Sequence, residues 1–444
     1  MTVKVIGAGL AGCEAAWQLA NAGVSVELYE MKPKKFTPAH KYKGFAELVC
    51  SNSLKAECIA SAAGMLKEEM RRLGSLIMEC AEKTKVSAGG ALAVDREKFS
   101  DMVTEKIRSH ANITVIEDEV TQIPDENVIV ATGPLTSDAL AEDVRRICGD
   151  YLYFHDAAAP IVTYESLDKE KVFFASRYGK GEADYINCPM DKDEYKAFYN
   201  ELIEAESAPL KEHDKEHFAK NNFKVYEGCM PIEVLAKRGE DTMRFGPLKP
   251  VGLTDPRTGK RPYAVVQLRA ENSRGTLYNL VGFQTNLKFA EQKRVFSMIT
   301  GFENAEFVRY GVMHRNTFIN SPKLLTEHFN MRERENLFFA GQMTGVEGYI
   351  ESAASGIMAG LNMARMLSDK VMVTLPETTM LGALSKYISD PTVEKFQPMG
   401  CNMGILPELP ERIRDKKERY QVIADRGLRD LDSCLKMFDV NVKG

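Results

Sequence analysis

The first thirty residues alternate between short apolar runs and one alanine-rich stretch. Val3 to Ile6 has the length and composition of a buried strand, and Val24 to Tyr29 is a second run of this kind. Between them, Cys13 to Ala22 is rich in alanine and stops at Gly23, which is typical of a helix that ends on a glycine. The order strand, helix, strand predicts the opening of an α/β fold with a parallel sheet.

A glycine-rich loop joins the first predicted strand to the helix. It has the spacing GxGxxG and consists of Gly7, Ala8, Gly9, Leu10, Ala11 and Gly12. In this motif the first glycine permits a tight turn, the second lets the backbone approach a pyrophosphate, and the third lets helix and strand pack closely. Glu30 closes the second strand, where its carboxylate can accept hydrogen bonds from an adenosine ribose. The whole context favours dinucleotide binding over a plain glycine-rich turn.

Two later segments resemble the late strand motifs of two-dinucleotide-domain flavoproteins, in which FAD rather than NAD lies along the sheet. The first is NVIVATG at 127–133, and the second is LFFAG at 337–341, which leads into a helix predicted from Gly348 to Leu367. We expect these segments to contact FAD through Thr132, Gly133, Gly341, Gln342, Gly345 and Gly348. Because no second GxGxxG occurs, a separate nicotinamide domain is not expected.

The helix predicted after LFFAG is rich in small residues, namely Ala353, Ala354, Ser355, Gly356, Ala359 and Gly360. Small side chains permit close backbone approach. The partial positive charge at the amino end of this helix would stabilise a reduced flavin by ~0.3 to 1 kcal/mol at exposed sites. Ordinary tight helix packing is the alternative explanation of the same residues.

The predicted elements change character between about residues 151 and 325. Short β-like runs alternate there with helical stretches. They include the strands 159–164, 171–175, 263–268 and 277–282 and the helix 191–205. We expect an FAD-binding Rossmann-like domain in two parts, 1–150 and 326–444, with an α+β substrate domain of residues 151–325 inserted between them. After Leu375 the chain is predicted to be mainly helical, with Pro407 and Pro410 before a charged helix.

Composition indicates an ordinary folded protein. Of 444 residues, 44% are hydrophobic and 27% charged. The formal net charge is −5, from 58 basic and 63 acidic residues, so a nucleic acid would have to bind a local basic patch.

No apolar run reaches the ~18 residues of a membrane span and the N-terminus lacks a basic leader, so we expect a cytoplasmic protein without membrane contact. Nine scattered cysteines without CxxC, and seven histidines without HxxxH, predict no disulfide framework and no metal site.

Two cysteines lie at predicted helix starts. Cys50 comes directly before the run SNS at 51–53, which offers good N-caps for a helix expected to reach Leu73. Cys229 lies two residues before Pro231, a favoured first-turn residue. Free backbone N–H groups at a helix start stabilise a thiolate, the nucleophilic form of cysteine, although structural roles remain the alternative. Small buried hydrophobes are expected instead at three positions inside helical patterns, Cys13, Cys58 and Cys434.

Over nearly its whole length the chain closely resembles the folate-dependent tRNA uracil-5-methyltransferases called the TrmFO family. The resemblance rests on VIGAGLAGCEAAWQLA, ELVCSNSLKA, YEGCMPIE, VGFQTNLK, GVMHRNTFIN and FFAGQMTGVEGYIESAASG. It implies an FAD enzyme that converts the T-loop uridine at tRNA position 54 to ribothymidine. The carbon comes from 5,10-methylenetetrahydrofolate and the reducing equivalents from NADPH or NADH.

The resemblance also implies roles for single residues. Cys229, in YEGCMP, matches the family cysteine that adds to carbon 6 of uracil and so makes carbon 5 nucleophilic. Cys50 matches the second family cysteine, which helps with proton removal or resolves the adduct. His314, in GVMHRNTF, is implied as a stacking partner for the folate pterin, with a core or solvent-facing histidine as the alternative. Reduced flavin is implied to pass the methylene group to carbon 5 and to supply the hydride.

A basic stretch is the first candidate for tRNA binding. Lys34, Lys35 and Lys41 lie with two further lysines within twelve residues that contain no acid, next to Phe36 and Tyr42. Phosphate contacts and base stacking are both available there. A second patch consists of Lys249, Arg257, Lys260 and Arg261. Simple solvation is the alternative for both, and the target uridine would have to be splayed out of its stack.

Two positions depart from the expected pattern. The family often has tryptophan after FQTxLK, where this chain has Phe289, and related flavin motifs place aspartate where this chain has Gln342. Neither change removes an expected reactive group. Two rival functions stay open: a related flavoprotein that modifies the anticodon wobble uridine, and a flavin-dependent RNA-binding or redox protein without methyl transfer.

Overall fold

A computed structural model describes residues 1–37, 39–149, 152–157, 159–179, 182–208, 230–272, 274–311, 313–393 and 396–440, with the backbone alone for 152–157 and 313–317. The strands are Thr2–Ile6 (β1), Ser25–Tyr29 (β2), Ser53–Ala56 (β3), Lys85–Val86 (β4), Ala91–Val94 (β5), Ile113–Ile116 (β6), Val128–Val130 (β7), Leu152–Ala157 (β8), Ile161–Thr163 (β9), Phe173–Phe174 (β10), Tyr185–Met190 (β11), Ala264–Ala270 (β12), Leu277–Leu280 (β13), Phe307–Arg309 (β14), Met313–Phe318 (β15) and Leu337–Phe339 (β16).

The helices lie between these strands and after the last of them. They are Leu10–Asn21 (α1), Ala62–Arg72 (α2), Leu76–Lys83 (α3), Arg96–Ser109 (α4), Asp138–Cys148 (α5), Lys192–Glu204 (α6), Ile232–Ala236 (α7), Thr242–Phe245 (α8), Phe289–Phe296 (α9), Ser321–Leu324 (α10), Tyr349–Leu367 (α11), Met380–Ser389 (α12) and Lys416–Met437 (α13). The predicted α/β fold class and the helical C-terminal segment are confirmed.

The first sheet is parallel and is built from distant parts of the chain. Its order is β16-β7-β1-β2-β6, and every neighbouring pair is parallel. Apolar side chains on both faces are buried, since the consecutive residues Val128, Ile129 and Val130 of β7 alternate between the faces and have no exposed surface. Helices must therefore cover both faces. The carboxyl ends of β1, β2, β7 and β16 meet at one edge, where the connecting loops form a crevice.

A second sheet is antiparallel and has its own core. Its order is β10-β11-β12-β13-β9-β14, and its buried residues include Val266, Leu268 and Phe283. The strands β8 and β15 pair with each other. In the chain, β8 precedes the strands of the second sheet and β15 follows them. The strands and the helix expected in this part of the chain are all present. Four of them are shorter than predicted, and β12 runs two residues further than predicted, to Ala270. The domain boundaries at 150 and 325 stay predictions.

The helix predicted to start directly after Cys50 is wrong. Residues 53–56 form β3, which pairs with β5, and the helix begins only after Ser61, whose side chain accepts a hydrogen bond from the Gly64 N–H at 3.1 Å. The reason is tertiary. The ammonium group of buried Lys67 in α2 donates to the carbonyls of Leu54 at 2.8 Å and Ala56 at 2.6 Å. These carbonyls are available to the buried cation because residues 53–56 form a strand; in the predicted helix they would accept from backbone N–H groups instead.

Candidate functional site

A cleft lies at the carboxyl ends of the parallel sheet. It encloses about 1130 Å³ of empty space, counting the part open to solvent. The glycine loop 7–11 lines its middle, and Glu30 lies after the neighbouring strand. The predicted cofactor residues that line it are Gly7, Ala8, Gly9, Leu10, Ala11, Glu30, Thr132, Gly133, Gly341 and Gln342. Ten of the thirteen expected positions are thus brought to one cleft.

The conformations and surroundings of the loop glycines are compatible with the three roles that their spacing predicted. Gly7 has φ +98°, and a Cβ there would lie 2.7 Å from the Ala131 carbonyl oxygen. A Cβ on Gly12 would lie 1.8 Å from the Gly7 carbonyl oxygen, so this residue packs the helix onto the loop without lining the cleft. Gly9 is the N-cap of α1 and faces open space, with no heavy atom within 4 Å of a built Cβ. The free N–H groups of α1 therefore face a space suited to a pyrophosphate.

Glu30 fixes the loop as well as facing the cleft. Its Oε2 accepts a hydrogen bond from the Ala8 N–H at 2.9 Å, and its Oε1 accepts one from the Lys32 N–H at 3.0 Å. The side chain is buried. Each carboxylate oxygen has a second lone pair, so Glu30 can still accept hydrogen bonds from ribose hydroxyls. The expectation from the sequence is compatible with this geometry.

The loop after β16 forms the opposite end of the cleft. Gly341 has φ +84°, and its N–H donates to Ser355 Oγ at 2.7 Å; Gln342 Nε2 donates to Glu347 Oε2 at 2.6 Å. The amino-terminal turn of α11 lines this end through Tyr349 and Ser352. The uncharged amide of Gln342 thus takes the place of the aspartate found in related motifs. The amino end of the 19-residue helix α11, which has partial positive charge, faces the cleft.

Two predicted cofactor residues lie behind the lining. Gly345 has φ +87°, and a Cβ there would lie 2.4 Å from the ring of Phe396. Gly348 is the N-cap of α11, with φ +122°. Both shape the backbone that carries Gln342 and Tyr349. Further along α11, Gly356 and Gly360 pack on the backbone of α1, so close helix packing is confirmed for these small residues.

The Cys50 loop adjoins this end of the cleft. Val49 and Tyr349 line the cleft, and the Cys50 N–H donates to the Tyr349 hydroxyl at 2.7 Å. Burial, followed by the nearby Cys50 thiol, raises the pKa of the Tyr349 phenol well above its usual range. The phenol therefore stays neutral at physiological pH. Cys50 itself is partly exposed.

Arginine side chains, and not a helix start, surround the Cys50 loop. Arg96 Nη1 donates to the Leu48 carbonyl at 2.5 Å, and Arg269 Nη2 donates to Ser51 Oγ at 2.6 Å. Arg96 also forms an ion pair with buried Glu271. The sequence interpretation missed these residues because they come from α4 and β12, far from Cys50 in the chain, and belong to no motif.

A third arginine, Arg309 at the end of β14, completes the group. It interacts electrostatically with Arg96, Cys50 and Tyr349. Burial, followed by repulsion from Arg96, lowers the pKa of its guanidinium. Within the described ranges it forms no hydrogen bond or ion pair. Among the described residues, three guanidinium groups and one carboxylate, Glu271, lie around the Cys50 loop, and this excess of positive charge favours bound anions and a thiolate.

The other expected catalytic and folate residues have no described side chains. Cys229 lies outside the described residues; the short helix α7 begins at Ile232 with Pro231 as its N-cap, one residue later than expected. His314 lies in β15, where its backbone pairs with Asp156 of β8.

The remaining cysteines fall into two groups. Cys13 and Cys434 are buried in α1 and α13, as predicted, and burial raises the pKa of the Cys80 thiol to about 12. The expectation for Cys58 is wrong, since it is exposed and lies in the turn before α2.

Across the described ranges, no three His, Cys, Asp or Glu side chains are grouped to hold a metal ion. No described helix is long and apolar enough to cross a membrane.

The basic stretch lies at the end of the cleft that Glu30 and Glu119 line, and it is partly neutralised. Lys34 is 3.6 Å from Asp118, and Lys35 is 2.7 Å from Glu119. Lys41 is exposed; its backbone N–H donates to Glu47 Oε1 at 2.9 Å, but its ammonium group forms no ion pair in the described part of the chain. In the second patch, Arg257 is held by Asp255. Lys249, Lys260 and Arg261 are exposed or partly exposed there.

The parallel sheet, the glycine loop and the cleft at the strand ends define a flavoprotein with an FAD-binding Rossmann-type domain. Residues 2–371 match the family model described as glucose inhibited division protein A. The chain is 59% identical over 428 residues to methylenetetrahydrofolate–tRNA-(uracil-5-)-methyltransferase TrmFO of Brevibacillus brevis, with 96% of each chain covered. It is 60% identical over 438 residues to the enzyme of that name from Acetivibrio thermocellus, covering 98% and 99%.

The chain belongs to the TrmFO family, within the broader group that the glucose inhibited division protein A model describes. Among solved structures it is similar to Aquifex aeolicus GidA, with a TM-score of 0.68, 16% identity, and coverage of 98% of this chain and 75% of that one. At this identity the likeness supports the fold alone.

Proposed function

We propose that this protein methylates carbon 5 of a tRNA uridine with carbon from 5,10-methylenetetrahydrofolate, and that the target is the T-loop uridine at position 54. The observation that carries the proposal is the contact between the Cys50 loop and the Tyr349 end of the cleft. It brings a thiol, excess positive charge and the flavin end of an FAD cleft together. Membership of the TrmFO family supports the same chemistry.

The cleft residues fit FAD. Gly9 leaves room for a pyrophosphate, Glu30 could accept hydrogen bonds from a ribose, and Gly341 and Gln342 would border the flavin. Bound FAD, once reduced by NADPH or NADH, would supply the hydride and a carrier for the one-carbon unit. The protein must then orient a folate and a splayed uridine at one end of this cleft and exclude water from it.

Cys229 is proposed as the nucleophile. Its thiolate adds to carbon 6 of uracil, and carbon 5 then attacks the methylene group. Loss of the carbon 5 proton and cleavage of the bond between the methylene carbon and its nitrogen carrier leave an exocyclic methylene on the ring. Hydride addition to this methylene, with expulsion of the thiolate from carbon 6, completes the methyl group and restores the ring. Cys50 is proposed to assist in proton removal or in resolving the adduct. His314 is proposed to stack on the pterin of the folate.

The deciding experiment supplies unmodified tRNA, labelled methylenetetrahydrofolate, FAD and NADPH to the protein and analyses the nucleosides of the product. Label in ribothymidine of the T-loop is expected. Label at the wobble uridine would favour the rival wobble-modifying flavoprotein. Bound FAD without any label in RNA would favour a redox protein without methyl transfer. Replacing NADPH with NADH in the same assay identifies the reductant.

The guanidinium of Arg309 is expected to favour the Cys50 thiolate. Arg309→Gln removes a positive charge without breaking a hydrogen bond or ion pair within the described ranges. The rate of Cys50 alkylation by iodoacetamide at neutral pH, followed by peptide mass spectrometry, should fall roughly threefold or more. Arg261→Gln, on an exposed loop, is the control. An unchanged rate in Arg309→Gln would show that this charge does not act on the thiol.

The basic stretch is expected to contact tRNA phosphates. Joint replacement of Lys34, Lys35 and Lys41 by alanine should weaken tRNA binding and lower its salt dependence. The slope of log K against log salt should fall by roughly 0.9 for each phosphate that a lysine no longer neutralises. Because Lys34 and Lys35 are already paired with acids, Lys41→Ala alone should carry a large part of the effect. Equal affinity in the triple variant would indicate a merely solvated loop.

A further inference from the structure

Three aromatic rings form a parallel stack that ends in solvent. Phe289 and Tyr310 have ring centroids 5.0 Å apart and an interplanar angle of 17°, and Tyr310 and Phe307 are 5.4 Å apart at 14°. Phe289 is the outermost ring and is 56% exposed. Tyr310 is its only ring contact among the described residues, and because more than half of the Phe289 side chain is exposed, the ring can accept another flat group.

The stack is held on a rigid frame. The amide of Gln292, which is fully buried in α9, donates from Nε2 to the Gly311 carbonyl at 2.8 Å and accepts from the Gly311 N–H at 2.8 Å. Val295 and Phe296 of the same helix are fully buried in the core of the second sheet. The position of the Phe289 ring is therefore set before any ligand arrives, which lowers the entropic cost of stacking on it.

The stack adjoins the proposed reaction site. Tyr310 follows Arg309, which interacts electrostatically with Cys50. His314 follows Gly311 by three residues and lies in β15. The exposed ring of Phe289 thus lies close to the short segment that carries both the arginine near Cys50 and the histidine proposed to bind folate.

An exposed lysine lies on the same face of α9 as Phe289. Lys293 is four residues further along, so the two side chains are neighbours on the helix surface. The two neighbouring cationic side chains already form ion pairs. Lys288 pairs with Glu206. Arg294 pairs with Glu201 and Glu291. Lys293 has no acidic partner within the described ranges. A stacking ring and a free ammonium group therefore lie side by side.

We propose that Phe289 and Lys293 bind one unpaired nucleotide of the tRNA, with its base stacked on the Phe289 ring and its phosphate at Lys293. RNA supplies both a flat base and an adjacent phosphate, and this pair of features is what the surface can bind. When the target uridine leaves its stack, a neighbouring base loses a stacking partner, and the Phe289 ring offers a replacement. The proposal rests on the proposed function, which makes tRNA the substrate.

The test compares tRNA affinity in matched variants of the full-length, FAD-loaded protein. Phe289→Ala should weaken tRNA binding roughly 5- to 150-fold, the range found for loss of one base stack, and Phe289→Trp should restore it. Phe245→Ala is the control, because Phe245 is 80% exposed and has no ring contact in the described part of the chain. Lys293→Ala should lower the slope of log K against log salt by roughly 0.7 to 0.9.

The outcomes separate this proposal from the proposed function. If the wild-type protein makes ribothymidine and Phe289→Ala binds tRNA as tightly as Phe245→Ala does, the nucleotide site is refuted while the function stands. If the KM for methylenetetrahydrofolate rises in Phe289→Ala and tRNA affinity does not change, the ring binds folate and the proposal is overturned. If the wild-type protein labels no uridine, the proposed function itself fails.

Discussion

Ribothymidine formation should fall by at least about 10³-fold when Cys229 is replaced by alanine, while the protein keeps its bound FAD. The reason is chemical. Carbon 5 of uracil is a poor nucleophile until a thiolate adds at carbon 6, and alanine cannot form that bond. The substitution leaves the described lining of the FAD cleft unchanged, so flavin absorbance should persist. Labelled-nucleoside analysis and the visible spectrum of the purified variant measure the two effects.

A matched control distinguishes loss of the nucleophile from loss of any thiol. Cys58→Ala changes an exposed cysteine in a turn and should leave the rate within about twofold of wild type. Cys50→Ala should also lower the rate, because Cys50 adjoins the flavin end of the cleft. Full activity in Cys229→Ala would remove Cys229 from the mechanism and leave Cys50 as the candidate nucleophile.

Gly12→Ala should abolish FAD binding and destabilise the FAD-free protein by roughly 1 to 3 kcal/mol. A Cβ at this position would lie 1.8 Å from the Gly7 carbonyl oxygen, so α1 or the loop must move. Both supply the backbone that faces the pyrophosphate. Flavin content after purification and thermal unfolding of the FAD-free protein measure the two effects.

Gly9→Ala should separate cofactor binding from folding. No atom lies within 4 Å of a Cβ built on Gly9, so the FAD-free protein should keep its stability within about 1 kcal/mol. The added methyl group would occupy the space left for the pyrophosphate, and FAD affinity should fall at least about tenfold. Gly90→Ala, which also meets no atom within 4 Å, is the control and should change neither property. Normal FAD affinity in Gly9→Ala would place the pyrophosphate elsewhere in the cleft.

The cofactor cleft could be predicted from the sequence because its requirements are local. The tight turn at Gly7 and the close contact at Gly12 depend on residues within one strand, loop and helix. Thr132 and Gly341 follow short apolar strands that belong to one parallel sheet, so their loops meet at one edge. The order of the strands in that sheet could not be predicted from local sequence. The rule that cofactors bind at the carboxyl edge of a parallel sheet does not depend on that order.

The surroundings of Cys50 could not be predicted in this way. Local sequence favours a helix after SNS at 51–53, yet Asn52 donates to the carbonyls of Val94 and Ala270, and Lys67 binds the backbone of β3. These partners are distant in the chain, so no periodicity reveals them. No helix starts at Cys50; instead, Arg96 and Arg309 interact electrostatically with it.

The sequence by itself determined the α/β class, the glycine loop, Glu30 and the order of the elements, because hydrophobic period and glycine spacing act within a few residues. Only the tertiary structure decided which charges surround Cys50 and which lysines are paired with acids. It alone placed Phe289 as the exposed outer ring of the stack with Tyr310 and Phe307. Side-chain contacts between distant strands and helices depend on sheet pairing and burial, and these arise only when the whole chain has folded.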